Sequence, residues 1–355
     1  MILALSGVAN VCNSSPSSAT RKLPAQSNPS HSPSSTAQPR TLIGHTNAVL
    51  SIAFSRDGRL MVTASSGRTV NIWDVRTGAI RRTLTGQPKT VWSVDISRDG
   101  KMVASGSDDG YVQLWDVQTG RLLRTIAHGG QVYSVAFSPN GKSIATGSRV
   151  SAGYKAIGGR VNVWEVSTGK ALKTLSSPLT VKAVAFSSDG KLLLAGGADQ
   201  KLRLWNARTE ALLHTFTGHD WKGYRHGIDY VAFSLDSKVV ASGGWGKFNQ
   251  ACLWNARTGA LLHVLPIPTG GIQSLAFSPN GKIVATATHP KVQIWNIRTG
   301  KLLREWKDKA GVRALAFTPD GKHLVAGGAG GSERINSDRT VTSDVHGVIE
   351  FWPVG

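Results

Sequence analysis

The chain has 355 residues and a formal net charge of +20, from 41 Lys and Arg against 21 Asp and Glu. Its two cysteines, Cys12 and Cys252, are too few for a disulfide framework, and no stretch reaches the ~20 apolar residues of a membrane-spanning helix. Forty glycines and 11 tryptophans suit a fold of many tight turns with a recurrent large anchor.

Residues 1–39 differ from everything after them. Ile2 to Cys12 resembles the apolar part of a secretory signal, but the run is short and the positive n-region is missing. Cys12 follows Val11 rather than the small residue of a lipoprotein signal. A cytoplasmic location is favoured and export is the alternative. Ser14 to Arg40 is rich in Ser, Pro, Thr, Gln and Ala, so it buries too little to offset its ordering entropy and reads as a disordered linker.

From residue 40 to 355 the pattern is one of short strands. Arg40 to Ile43 is a lone first strand. Inner-strand candidates then recur at Val49–Phe54, Val91–Ile96, Val132–Phe137, Val181–Phe186, Ile228–Phe233, Ile272–Phe277 and Val312–Phe317. Each leads into a Ser/Thr-x-Asp/Asn-Gly turn or a relative of it, repeat five departing with Leu235-Asp236-Ser237. The second repeat shows the unit most clearly. Its runs Val91–Ile96, Met102–Ser107, Tyr111–Asp116 and Arg121–Thr125 are separated by Asp/Gly and Thr-Gly turns, which predicts four antiparallel strands. One such sheet cannot cover both of its faces and needs neighbours.

A tryptophan closes each third strand, at 73, 115, 164, 205, 254, 295 and 352. The intervals are about forty residues or that plus an insertion, the period of a four-stranded propeller blade. With Gly44-His45 and Trp73-Asp74 in the first copy, the chain resembles the WD-repeat (WD40) family over residues 40–355. The resemblance implies an all-β fold, a single seven-bladed β-propeller of four-stranded antiparallel blades, monomeric, behind the N-terminal tail. It also implies closure: the last repeat stops after its third strand, so Arg40–Ile43 is expected to pair with Val348–Phe351 and remove the open edges. In the family each blade can carry a buried His–Ser/Thr–Asp–Trp set. Here that set is fragmentary, with His45, Ser65 and Trp73 in repeat one and Ser107, Asp109 and Trp115 in repeat two, where Gln87 stands for His.

Surplus length gathers at one end of the blades, where the connections between blades and the turns between second and third strands lie. Arg149–Gly159 enlarges blade three and contains Tyr154. Residues 220–227 and 244–250 enlarge blade five and bring Trp221, Tyr224, Arg225, Trp245 and Phe248. Residues 329–347 enlarge blade seven. Loops on a rigid scaffold are common sites of recognition, and aromatics mixed with Arg are common anchors. The second residue of each inner strand should line the channel mouth on the same face: Leu50, Trp92, Tyr133, Lys182, Asp229, Gln273 and Arg313. This ring varies between repeats while its flanks recur.

The expected function is a non-catalytic scaffold that binds a protein or peptide on the insertion-bearing face. Two alternatives stand beside it. Basic residues spread over almost every repeat, among them Arg76, Arg81, Arg82, Arg124, Lys173 and Arg304, could attract an acidic partner, nucleic acid or an anionic surface, although no dense basic run is present. Carboxylates on the loop face (Asp220, Asp229, Glu333, Asp338, Asp344) could form a hydrolase pair. The histidines show no HxxH or HExxH and the cysteines no CxxC, so neither metal nor cofactor is expected.

Overall fold

β-Branched and aromatic residues alternate with small ones in runs of five or six, and Gly-containing turns stop each run, so the chain folds into antiparallel hairpins. The computed structural model describes residues 40–152, 155–217, 227–244, 250–267, 270–307, 311–331, 333–335, 341–343 and 346–354. All regular structure among them is β-strand, and none of it is a helix long and apolar enough to cross a membrane.

Seven four-stranded sheets form the blades of a propeller. In blades one to six the strands follow sequence order from the channel outward. Blade two is Val91–Ile96, Met102–Ser107, Tyr111–Asp116 and Leu122–Ala127. Blade seven takes three strands from the C-terminal end (Val312–Phe317, His323–Gly330, His346–Pro353), and its outer strand is Arg40–His45. Arg40 pairs with Phe351, Leu42 with Ile349 and Ile43 with Val348. The first strand therefore joins the last blade and closes the ring.

The apolar core is divided into seven clusters, one between each pair of neighbouring blades. Ile72 and Leu84 of blade one meet Val91 and Trp115 of blade two. At the closing junction Val325, Ile349 and Phe351 of blade seven meet Val49 and Trp73 of blade one. Each recurrent Trp thus packs against the preceding blade. At roughly 25 cal/mol per Å² and ~150–250 Å² each, these anchors contribute several kcal/mol apiece before entropy.

Polar side chains repeat with the blades. At the inner turns a hydroxyl holds the Asp or Asn two residues on, as in Ser55 Oγ to Asp57 Oδ1 at 2.6 Å, and Asp57 in turn accepts the Arg59 N–H. In blade five Ser237 takes the positive φ that glycine supplies elsewhere, at 58°. Between inner strands, Ser51, Ser93, Ser134 and Ser274 accept the N–H groups of Val94, Val135, Val184 and Leu315 in the next blade.

Three expectations need correction. Arg149–Gly159 is not a loop: the second and third strands of blade three run on as Ser143–Ala152 and Lys155–Glu165, with Arg149 opposite Gly159 and Ala152 opposite Lys155. In blade six the inner strand is Ser274–Phe277, so Ile272 and Gln273 precede it. The buried polar set uses other hydroxyls. Thr63 Oγ1, not Ser65, joins His45 Nε2 (2.7 Å) and Trp73 Nε1 (2.8 Å), and Ser105, not Ser107, joins Gln87 Nε2 (2.5 Å) and Trp115 Nε1 (3.0 Å). Ser65 and Ser107 lie two residues further on, where Ser65 bonds the backbone of Asn47 and Gly67. Asp109 accepts the Tyr111 N–H at a surface turn, outside the set.

Candidate functional site

The channel mouth is assembled from the starts of the inner strands. Leu50, Trp92, Tyr133, Lys182, Asp229, Gln273 and Arg313, joined by Tyr230, line one opening of about 360 Å³. By topology this end of the ring also carries the connections between blades and the turns between second and third strands.

Two halves of the mouth differ. On the blade two and three side, the Trp92 and Tyr133 rings lie 5.6 Å apart at 45°. Trp92 Nε1 donates to Asp108 Oδ1 at 3.3 Å, Gln131 Nε2 donates to the same oxygen at 2.6 Å, and Tyr133 OH donates to Gln131 Oε1 at 3.2 Å. This chain of hydrogen bonds orients both rings while leaving Trp92 37% exposed. On the opposite side, Lys182 Nζ pairs with Asp229 Oδ1 at 2.7 Å, and Arg313 NH1 donates to Gln273 Oε1 at 2.9 Å. Burial, with the Asp229 carboxylate beside it, holds the Tyr230 phenol protonated well above its usual range.

Sequence reasoning missed Tyr230, although a signal was present. The third inner-strand position holds Ser51, Ser93, Ser134, Ala183, Ser274 or Ala314 in the other six blades. A Tyr cannot act as the small inter-blade bridge and is turned to the mouth. Deeper in the channel a second departure occurs. Asp95 stands where the other blades have Ala53, Ala136, Ala185, Ala232, Ala276 and Ala316. Burial pushes its carboxyl up to about 6, against the Phe137 and Ile96 N–H groups that it accepts.

A second hollow, about 570 Å³, opens between blades two and three and is bordered by Lys89, Asp108, Tyr111, Gln131 and Arg149. Asp108 and Gln131 belong both to its wall and to the bonds that hold the aromatic pair, so hollow and mouth adjoin. Of the residues expected at the site, Tyr154, Trp221, Tyr224, Arg225, Trp245 and Phe248 lie outside the described residues, as do Asp220, Asp338 and Asp344. The side chain of Glu333 does too, and Asp229 is engaged by Lys182.

The basic rim has a structural use. On each outer strand one side chain crosses to a backbone carbonyl of the next blade, in six cases in the turn between third and fourth strands and in blade seven at the end of the third strand. Arg40 reaches Val75 O (2.9 Å), Arg82 reaches Gln118 O (3.1 Å), and Arg124 reaches Ser167 O (2.6 Å) and Thr168 O (2.9 Å). Lys173 reaches Ala207 O and Arg208 O, His214 meets Arg257 O, His263 meets Arg298 O, and Arg304 reaches Pro353 O. The glycine of the receiving turn makes room: a Cβ at Gly78 would fall 2.2 Å from the Arg40 guanidinium. In blade four that glycine is Glu210, and its carboxylate lies 3.3 Å from Lys173 Nζ. Much of the rim charge is therefore directed at backbone carbonyls. Arg81 is likewise paired with Asp74.

Comparison with known proteins agrees with this architecture. The family described as the NWD2 C-terminal beta-propeller matches residues 43–249, and the WD domain, G-beta repeat, matches residues 259–296 and 300–341. Periodic tryptophan protein 2 homolog of Schizosaccharomyces pombe is 31% identical over 124 residues, 34% of this chain and 14% of that protein. Eukaryotic translation initiation factor 3 subunit I of Aspergillus oryzae is 26% identical over 105 residues, 29% of this chain and 31% of the relative. Small ribosomal subunit protein RACK1y of Oryza sativa subsp. japonica is 29% identical over 151 residues, 40% of this chain and 42% of the relative. The chain thus matches less than half the length of each of these relatives.

Proposed function

The chain belongs to the NWD2 C-terminal β-propeller family of WD-repeat proteins, and from that premise we propose that it is a non-catalytic scaffold that binds a protein or peptide at the channel mouth. The observation that carries this reading is the variation of the seven mouth positions. The turn hydroxyls and inter-blade bridges repeat from blade to blade, whereas the mouth holds seven different residues on one rigid face. Repetition is what closing the ring requires, and divergence at one concave site is what recognition requires. The translation-factor and ribosomal names of two relatives fit a role in an assembly of proteins. The aromatic pair is held in place before any partner arrives, which lowers the entropy cost of binding.

Site-specific photo-cross-linking tests the proposal. A photoreactive residue is placed in the full chain at position 92 or, as a control, at rim position 121, with nuclease present and at moderate salt. A protein cross-linked from position 92 and not from 121 is the expected result. Cross-links from 121 alone would move the partner to the rim.

A further inference from the structure

Behind the aromatic pair the Asp108 oxygen is taken up by Trp92 and Gln131, and among the side chains that line the opening itself two cations, Lys182 and Arg313, stand against one carboxylate, Asp229. Lys182 is neutralised by Asp229 at 2.7 Å. Arg313 is exposed, its bond to Gln273 goes to a neutral amide oxygen, and among the described residues it enters no ion pair. A guanidinium offers five N–H donors in a fixed fork that matches a carboxylate, and one donor on Gln273 holds the fork without consuming it. Across the opening stands the Trp92–Tyr133 pair, a large apolar surface fixed by Asp108 and Gln131. From this pair the hollow between blades two and three continues outward.

Resting on the reading of the mouth as a partner site, we propose that its partner is an extended protein segment carrying a carboxylate beside a large apolar side chain. The carboxylate is received by Arg313, the apolar side chain lies on Trp92 and Tyr133, and the segment leaves along the hollow bordered by Tyr111 and Arg149. The chain's charge of +20 favours the approach of an acidic partner. A nucleic acid fits less well. Its phosphates recur at every nucleotide and need a track of available cations, whereas the mouth supplies one, and the seven outer-strand donors are turned to backbone carbonyls of the next blade.

The test uses the full chain and fluorescein-labelled 12-residue peptides, each with one Glu two residues from a Leu or Phe in a Ser/Gly background. Each peptide has a twin in which Gln replaces Glu, and binding is read by anisotropy. The proposal expects the acidic peptides to bind and their twins to bind about tenfold or more weakly. Arg313→Ala or Arg313→Gln should weaken the acidic peptides about 10- to 100-fold and leave the twins unchanged, while Trp92→Ala weakens both sets. Unchanged melting temperatures certify the variants as folded. Twins that bind as well as their parents, with Trp92→Ala still harmful, would overturn the acidic anchor and leave the mouth as the partner site. Binding of no peptide that responds to either residue overturns both readings. A labelled oligothymidylate that binds more tightly than every peptide and is lost in Arg313→Ala would replace the protein partner with a single strand.

Discussion

At the outer edge of the propeller, Arg40, Arg82, Arg124, Lys173, His214, His263 and Arg304 do the same thing seven times: a side chain of one blade bonds a backbone carbonyl of the next, six times in a turn and once at a strand end. At the mouth, the seven equivalent positions hold a Leu, a Trp, a Tyr, a Lys, an Asp, a Gln and an Arg. Apart from Leu50 both rings are polar or amphipathic and both stand at the surface, so composition does little to separate them. Geometry does. An outer-strand donor faces a carbonyl that every neighbouring blade presents, and the fold constrains it. A mouth residue faces the channel, where its neighbours differ from blade to blade (Tyr133 beside Trp92, Asp229 beside Lys182, Gln273 beside Arg313), and the repeat does not fix its identity.

Stability measurements can break or sharpen this contrast. Closure should matter most. Removal of residues 1–44 deletes the strand that pairs with Val348–Phe351, the Leu42 contact and the Arg40 bonds. It should lower Tm by about 5 °C or more relative to removal of 1–38, at roughly 1.5 °C per kcal/mol for a chain of this size. Similar melting of the two truncations would show that the first strand does not close the ring.

Next in size come the buried sets inside the blades. Thr63→Val strands both His45 Nε2 and Trp73 Nε1 and should cost about 3 kcal/mol in urea unfolding. Ser65→Ala should cost clearly less, since Ser65 bonds only the backbone groups of Asn47 and Gly67 and no other side chain. The reverse order would restore Ser65 to the set.

The same sets carry an acid sensitivity. Burial pushes His45 and His128 down to about 4 from 6.5, so the native state keeps both rings neutral while the unfolded chain takes up protons. Their contribution is complete above pH 6.5 and is lost as pH falls from there toward 4, by roughly 2 kcal/mol per ring at pH 5. Blade two already uses Gln87 in this place. His45→Gln with His128→Gln should therefore flatten the unfolding free energy between pH 7 and 5. A variant as acid-sensitive as its parent would contradict the assignment.

Smallest is the direct comparison of the two rings. Arg124→Met removes two bonds to blade three and should cost about 1 kcal/mol, whereas Trp92→Phe, which keeps a ring beside Tyr133, or Arg313→Lys, which keeps a donor for Gln273, should stay within about 0.5 kcal/mol. Scanning calorimetry of the three variants decides the matter. A mouth variant that destabilises more than Arg124→Met would make the mouth part of the scaffold.

The sequence by itself determined the seven blades, the strand that closes them and the positions that share the mouth. These follow from short-range rules: a period of two along each strand, turn residues at fixed offsets, and a Trp in each copy at about forty residues. Tertiary structure decided the polar partnerships. Thr63 and Ser65 point to the same face of one strand, and Gly67 and Thr69 follow close behind. Only the folded structure shows that the Thr63 hydroxyl, and not that of Ser65, comes within reach of His45 Nε2 and Trp73 Nε1. The outer bridges join residues 34 to 49 positions apart, and the charge of Arg82 or Arg304 looks available until the neighbouring blade is in place. Arg149–Gly159 likewise reads as a loop because its glycines weaken the strand signal, while pairing as far as Ala152 and Lys155 satisfies the backbone and extends the sheet. Local chemistry writes the repeat, and contacts between distant repeats settle which of its side chains are already in use.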